Sequence, residues 1–414
     1  MTSIGIVGSG VAGLHLGLFL RQHDIPVTIY TDKSAEQVAG GRLLNTVAHH
    51  HHTLERERAL GVHHWDANEY GYVCHQHAVV GGPAPLRFRG DFDHPSSIID
   101  YRLYLPRLMA DYQDRGGELV VAPVDVAEIE RLSRNHDLMV IAAGRGPIAE
   151  MFPKRADKSP YDRPQRRLSA GIYQGVAYSE PKGVGVHMSL GHGELLELPI
   201  FSTQGFATAL LFENIPGGEL ERLADLRYED DPAGYDRTVL ELVERHYPML
   251  YERIDVDAFG LQGPTDLIQG ALTPIVREDY VRLASGTYAL AVGDVHCVVD
   301  PVNGQGANSA SYSAWVIGQA IVDDYGFDEQ FCRRVARERE AFVHGVSDWT
   351  NLILNPQPHM VEVLMTMAQS KSLCDEYTRN FNRPDRQWQA VATPERAAAF
   401  IARHATDRDA AALA

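Results

Sequence analysis

The sequence is poor in cysteine, short of positive charge and without a long apolar run. Only four cysteines, Cys74, Cys297, Cys332 and Cys374, occur in 414 residues, far apart and with no C-x-x-C pair. That spacing suggests neither a disulfide framework nor a zinc site and fits a reducing cytoplasm. Aspartate and glutamate outnumber lysine and arginine 55 to 38, for a net charge of −17. Nucleic acid is excluded as a partner, because neutralising phosphates requires clustered cations. Apolar runs such as Leu14 to Leu20 fall well short of the ~18 residues a membrane span needs, so no membrane association is expected. A first strand at Ser3 to Val7 follows Met1 directly and leaves no room for a secretion signal, so export is not expected.

What remains is an ordinary globular composition, with 44% apolar and 22% charged residues. The length exceeds a single core, and two intertwined domains are expected. Residues 3–7 read as a buried strand, 11–22 as a helix and 27–30 as a second strand, which makes a βαβ unit. A helix over 101–112 and strands at 118–122 and 138–141 extend it. From about 167 to 213 the pattern turns to period-two alternation, as a half-buried antiparallel sheet requires. Residues 235–253 read as helix, 288–292 as a buried strand, and nearly everything beyond Gly306 as helix apart from a break at 355–358. The expected division is 1–165 and 276–325 for the nucleotide-binding domain, 166–275 for the antiparallel-sheet domain and 326–414 for C-terminal helices. The run His49 to His52 reads as a solvated segment with one functional member, since four consecutive imidazoles cannot face one metal, and no metal site is expected.

Between the first strand and helix lies Gly8-Ser9-Gly10-Val11-Ala12-Gly13. The glycines allow a tight turn (Gly8), backbone approach to a pyrophosphate (Gly10) and close helix packing (Gly13), with the pyrophosphate on the helix N-terminus. The acidic residue that normally follows the second strand is missing. Asp32 is the nearest carboxylate that could serve the ribose, against the reading of a turn-initiating residue. A second motif runs through Gly293-Asp294 and then Pro301-Val302-Asn303-Gly304-Gln305-Gly306-Ala307-Asn308. It resembles the G-D…P-x-x-G-x-G-x-N signature of FAD-dependent aromatic hydroxylases, in which the match to Asp294 bonds the ribityl chain. The amides that follow would face the flavin pyrimidine, where reduced flavin is anionic. The Asp-Gly pair that self-sufficient hydroxylases carry after the central strand is replaced by Ala143-Gly144-Arg145-Gly146, which points to flavin reduced elsewhere.

Over nearly its whole length the sequence resembles the epoxidase component of two-component styrene and indole monooxygenases, through GLHLGLFLRQHD, GGRLLNTVAH, GHGELLELP, DPVNGQGAN and NFNRPDRQW. The resemblance implies a glutathione-reductase-like (Rossmann) α/β fold with an inserted antiparallel-sheet substrate domain, and a homodimer. It also implies FADH2 from a separate NADH-dependent flavin reductase, and molecular oxygen that forms a C4a-hydroperoxyflavin and passes to a small aromatic alkene. Asn45, Val47, His49, Tyr72, His75 and Ser96 match the styrene branch of the family. Asn45 is the leading catalytic candidate, able to donate and accept beside the flavin. His75 and Tyr72 are candidates for oxygen stabilisation or substrate placement, with a satisfied core pair as the plainer reading. Arg42, Leu43 and Leu44 are expected to contact flavin, and Val47, His49, Ser96, Leu211 and Val302 to line the substrate pocket.

Overall fold

The computed structural model describes residues 2–404. Six strands form the first sheet, in the order Tyr280–Arg282, Tyr288–Ala291, Leu138–Ile141, Ile4–Val7, Val27–Thr31, Glu118–Val121. All neighbours run parallel except the Tyr280–Arg282 edge, which pairs antiparallel with Tyr288–Ala291. The central strands Ile4–Val7 and Leu138–Ile141 are buried throughout because both faces are covered, which is why they read as continuous apolar runs. Helices Val11–Gln22, Tyr101–Asp114 and Gly306–Asp323 pack on this sheet, with Leu14, Leu18, Leu108 and Ile317 in one core.

The second sheet is larger, with Gly260–Leu261, Arg167–Gln174, Gly205–Asn214, Gly193–Ser202, Gly183–Ser189, Gly71–Val80 and Leu86–Ser97 as neighbours in that order. Two features depart from the sequence reading. Residues 71–97, expected in the first part of the nucleotide-binding domain, contribute the last two strands of this sheet. Gly71–Val80 also pairs parallel with Gly183–Ser189, so the sheet is mixed rather than wholly antiparallel. A parallel pairing leaves no hairpin signal in the chain, since the partners are joined by a long crossover.

The alternation at 207–212 was expected to mark a half-buried strand, yet both of its faces are covered. Leu210 and Phe212 pack with Val239 and Leu242 of the helix Pro232–His246, whereas Ala209 and Leu211 lie on the opposite face with Ala170, Leu196 and Leu198. That second apolar face forms part of the cavity described below.

After Gly306 the chain is helical, with a 26-residue helix at Glu329–Leu354. The last ten residues of the expected C-terminal region lie outside the described residues. The guanidinium of Arg339 is fully buried, bonded to Asp279 at 2.8 Å and donating to the Ala291 carbonyl at 2.7 Å, which fastens this helix to the first sheet. Helices Pro358–Met367, Lys371–Arg379, Pro384–Val391 and Pro394–Ala402 gather around Trp349, Met360, Leu373 and Phe400. Among the described residues no helix is long and apolar enough to cross a membrane.

Candidate active site

The glycine turn opens onto a space. Gly8 has φ +111°, and a Cβ there would lie 2.3 Å from the Ala142 carbonyl oxygen. A Cβ on Gly13 would lie 2.0 Å from the Gly8 carbonyl oxygen, so only glycine lets the helix pack this close. At Gly10, by contrast, an added Cβ would meet nothing within 4 Å. The helix Val11–Gln22 starts here without a side-chain cap, leaving its first amides available to an anionic ligand. Helix Gly306–Asp323 likewise begins without a side-chain cap at the second motif. These two uncapped ends and the vacant side of Gly10 fit a dinucleotide. At the end of the second strand, buried Thr31 takes the place of the missing acid and bonds Ser9 Oγ at 2.7 Å. Asp32 is exposed and away from the cavity wall.

The cavity has a volume of about 1050 Å³, and its wall joins the two sheets. Gly10, Val11, Gly293, Asp294, Pro301, Val302, Gly304 and Gly306 line it together with Ala170, Val184, Leu196, Leu198 and Leu211. The Asp294 carboxyl is raised by burial and opposed by Arg145, whose Nε lies 3.5 Å away. Gln305 and Asn308 stand behind the wall and brace it. Gln305 donates to the Phe381 carbonyl at 3.0 Å. Asn308 donates to the Ala48 carbonyl at 2.8 Å and accepts from His50 N at 3.0 Å and Thr53 Oγ1 at 2.7 Å. It thereby ties the 48–53 segment to the second motif.

Asn45 and Val47 line the cavity, and Asn45 Oδ1 accepts from Val47 N at 3.2 Å. The residue is therefore both a turn former and a wall residue, its side-chain carbonyl oxygen engaged within the turn. Tyr72 and His75 are buried on the strand Gly71–Val80 with their rings stacked at 6.2 Å, and Phe381 meets His75 edge-on at 4.5 Å. Burial, and then the neighbouring His77 and His50, hold the His75 imidazole well below its ordinary pKa. Burial likewise lowers His50 and His77 to about 3, so all three wall histidines are neutral at physiological pH. Ser96 is fully buried between Tyr72 and His50, bonded to His50 Nδ1 at 3.0 Å, and lies behind the wall rather than on it.

Several expected contacts fall elsewhere. Arg42 is exposed and pairs with Glu229 at 2.5 Å. Leu43 is buried in the second-sheet core, its N–H donating to the Thr265 carbonyl at 2.8 Å, so Leu44 alone of the three reaches the cavity. His49 is off the wall: its Nδ1 lies 2.6 Å from Glu57 Oε1 and its Nε2 2.8 Å from the Tyr101 hydroxyl. Burial alone would raise the Glu57 carboxyl, but His49, with His63 3.7 Å away, outweighs it and holds the carboxyl below its usual range. The histidine run is not a solvated segment throughout, because His49 and His50 are buried. His51, His52 and Glu55 bring ligand atoms within 4.8 Å of one another, but at the positive end of a helix, which opposes a cation.

His50, His77, Tyr101, Arg145 and Phe381 line the cavity without having been singled out from sequence. A signal existed for two of them. His77 stands two residues from His75 on one strand and therefore shares its face, and Phe381 lies inside the stretch NFNRPDRQW.

Residues 144–253 match the family described as "Styrene monooxygenase A putative substrate binding domain". The styrene monooxygenase StyA of Pseudomonas fluorescens is 43% identical over 398 residues, covering 95% of this chain and 96% of its own; a StyA from Pseudomonas sp has the same identity and coverage. Among solved structures, the flavin-dependent brominase Bmp2 superposes with a TM-score of 0.65 at 15% identity, covering 97% of this chain and 100% of its own. PqsL of Pseudomonas aeruginosa superposes with a TM-score of 0.63 at 14% identity, covering 95% and 100%. Those two likenesses carry the fold, and the extended identity carries the family: the chain belongs to the styrene monooxygenases, a family of flavin-dependent monooxygenases.

Proposed function

We propose that the chain epoxidises the vinyl group of styrene to styrene oxide, using molecular oxygen and FADH2 delivered by a separate NADH-dependent flavin reductase. The observation that carries this reading is the single cavity whose wall runs from Gly10 and Asp294 to the apolar face at Ala170, Leu198 and Leu211. Reduced FAD, when bound, supplies the activated oxygen that is transferred to the alkene. Gly10 and the uncapped amides of the helix Val11–Gln22 would hold its pyrophosphate. Asp294 would take the ribityl hydroxyls, and the backbone of Pro301–Gly306 the pyrimidine edge.

The remaining work asked of the protein is desolvation and placement. The apolar face buries an arene and excludes water. The Asn45 NH2 group is a donor at the wall that needs no titration. His75 stays neutral, so it can orient a polar group without carrying a charge that would draw water into the pocket. The Ala143-Gly144-Arg145-Gly146 segment in place of an Asp-Gly pair supports an external source of reduced flavin.

The test supplies photoreduced FAD and air to the purified protein with styrene and indole side by side. Styrene oxide is expected without any reductase present, and NADH alone should yield none. Absence of epoxide with reduced FAD would refute the reading, and turnover on NADH alone would remove the two-component assignment. Faster conversion of indole than of styrene would move the substrate within the same family.

A further inference from the structure

Strand Gly205–Asn214 carries one carboxylate amid apolar neighbours, Glu213, and it is 0% exposed. Asp300, immediately before the second motif, is also 0% exposed. Asp300 Oδ1 accepts from Val302 N at 3.2 Å and so caps the short turn Pro301–Asn303. Its Oδ2 and both Glu213 oxygens lack any donor as carboxylates.

The surrounding charges do not supply one. The nearby cation is Arg166, whose Nε and Nη2 already grip Glu194 at 2.8 and 3.0 Å. Its Nη1 donates to the Gln165 carbonyl at 3.1 Å. Tyr161 faces Asp300 but donates its hydroxyl to the Asn351 carbonyl at 3.1 Å, and the buried Tyr247 hydroxyl faces Glu194. Three carboxyl groups therefore stand against one guanidinium that is already committed. An uncompensated buried carboxylate costs several kcal/mol. Two carboxyls in contact relieve that cost by keeping one proton, which turns two acceptors into a donor and an acceptor. Glu213 and Asp300 are placed as each other's hydrogen-bond partners. Burial and the facing Asp300 push Glu213 well above the carboxylate range, and burial pushes Asp300 up to about 6. The pair titrates as a unit.

We propose that Glu213 and Asp300 hold one proton between them, and that this hydrogen bond positions the Pro301–Gly304 turn by clamping it to the second sheet. The turn forms part of the cavity wall through Pro301, Val302, Asn303 and Gly304. Loss of the proton sets two buried anions against each other and releases the turn. The effect on flavin rests on the function proposed above, whereas the shared proton does not.

Infrared difference spectra of wild type and Glu213→Gln, taken near neutral pH, read the proton directly. A protonated-carboxyl carbonyl stretch should be present in wild type and missing in the variant. Urea unfolding across pH gives a second reading. Because the folded pair keeps a proton that the unfolded chain releases near its ordinary carboxyl pKa, wild-type stability should fall as pH rises from there until the pair has titrated. Glu213→Gln, which donates from an amide, should show no such decline. The dissociation constant of FAD should rise about tenfold per pH unit beyond the titration in wild type and stay flat in the variant. An unchanged carbonyl band, or parallel stability profiles for the two proteins, would overturn the proposal. Should Glu213→Gln not fold, the wild-type band decides alone: its disappearance together with the loss of FAD affinity supports the shared proton, and its absence at neutral pH refutes it. If wild type binds no FAD at any pH, the flavin reading fails, and the band and unfolding still decide the proton.

Discussion

Replacing Gly10 by alanine separates stability from cofactor binding, because the added methyl would meet no protein atom within 4 Å. Gly10 has φ −76° and ψ −174°, a conformation alanine adopts freely. Restricting the unfolded chain favours the variant by about 0.4–1 kcal/mol, and losing a favourable N-cap residue opposes it by a similar amount. Urea unfolding of the apoprotein should thus stay within about 1 kcal/mol of wild type. The same methyl would stand where the pyrophosphate approaches the helix amides. Hydrogen bonds to a charged group contribute about 1.5–3 kcal/mol each, so displacing one weakens FAD binding roughly tenfold to a hundredfold. Fluorescence titration with FAD measures that loss. Gly13→Ala is the converse control: its Cβ would lie 2.0 Å from the Gly8 carbonyl oxygen, and overpacking of this kind costs about 1–3 kcal/mol of stability. Unchanged FAD affinity in Gly10→Ala would refute the assignment of the pyrophosphate site, and a large loss of apoprotein stability would refute the open space beside it.

Arg102 lies buried between Asp100 and Asp266, with Nη2 at 2.5 Å from both. Arg102→Met strands two buried carboxylates and should lower stability in urea by about 3–5 kcal/mol; a loss below 1 kcal/mol would contradict the pairing. His77 is held at about 3 by burial, far below the 6.5 of the unfolded chain. It therefore withholds a proton that unfolding admits, and stability is lost as pH falls below 6.5, by about 1.4 kcal/mol per pH unit for this one site. His77→Phe should flatten that acid-side slope, which pH-dependent thermal melts would detect, and a slope equal to wild type would argue against it. Leu211→Trp fills part of the cavity and should lower kcat/KM for styrene at least tenfold, roughly the effect of small volume changes in an apolar pocket. FAD affinity should be unaffected, and equal loss of both would place Leu211 on the cofactor side.

Much of the nucleotide-binding half was legible in the chain. The strand Ile4–Val7, the glycine turn and the helix Val11–Gln22 are contiguous, so residue spacing alone reports them. The second sheet was only half legible, because Gly71–Val80 joins it through a parallel pairing with Gly183–Ser189 that leaves no turn between the two. Among site residues, Asn45, Val47, Tyr72, His75, Leu211 and Val302 were named in advance and stand on the cavity wall. Arg42, Leu43, His49 and Ser96 were named with them and do not. Each is held by a partner distant in sequence or fold, Arg42 by Glu229, Leu43 by the Thr265 carbonyl, His49 by Glu57 and Ser96 by His50, which residue type alone does not report.

The sequence by itself determined the βαβ unit and the two glycine-rich motifs, since each depends on residue type over a short span. Only the tertiary structure decided which histidine of His49 to His52 reaches the cavity and that Glu213 meets Asp300 without a cation to spare. It also decided that the strand Gly205–Asn214 is covered on both faces. Burial and charge balance belong to groups brought together from distant parts of the chain. A carboxylate that would be an ordinary anion in solution becomes a proton holder only when folding has removed its water and left it facing another.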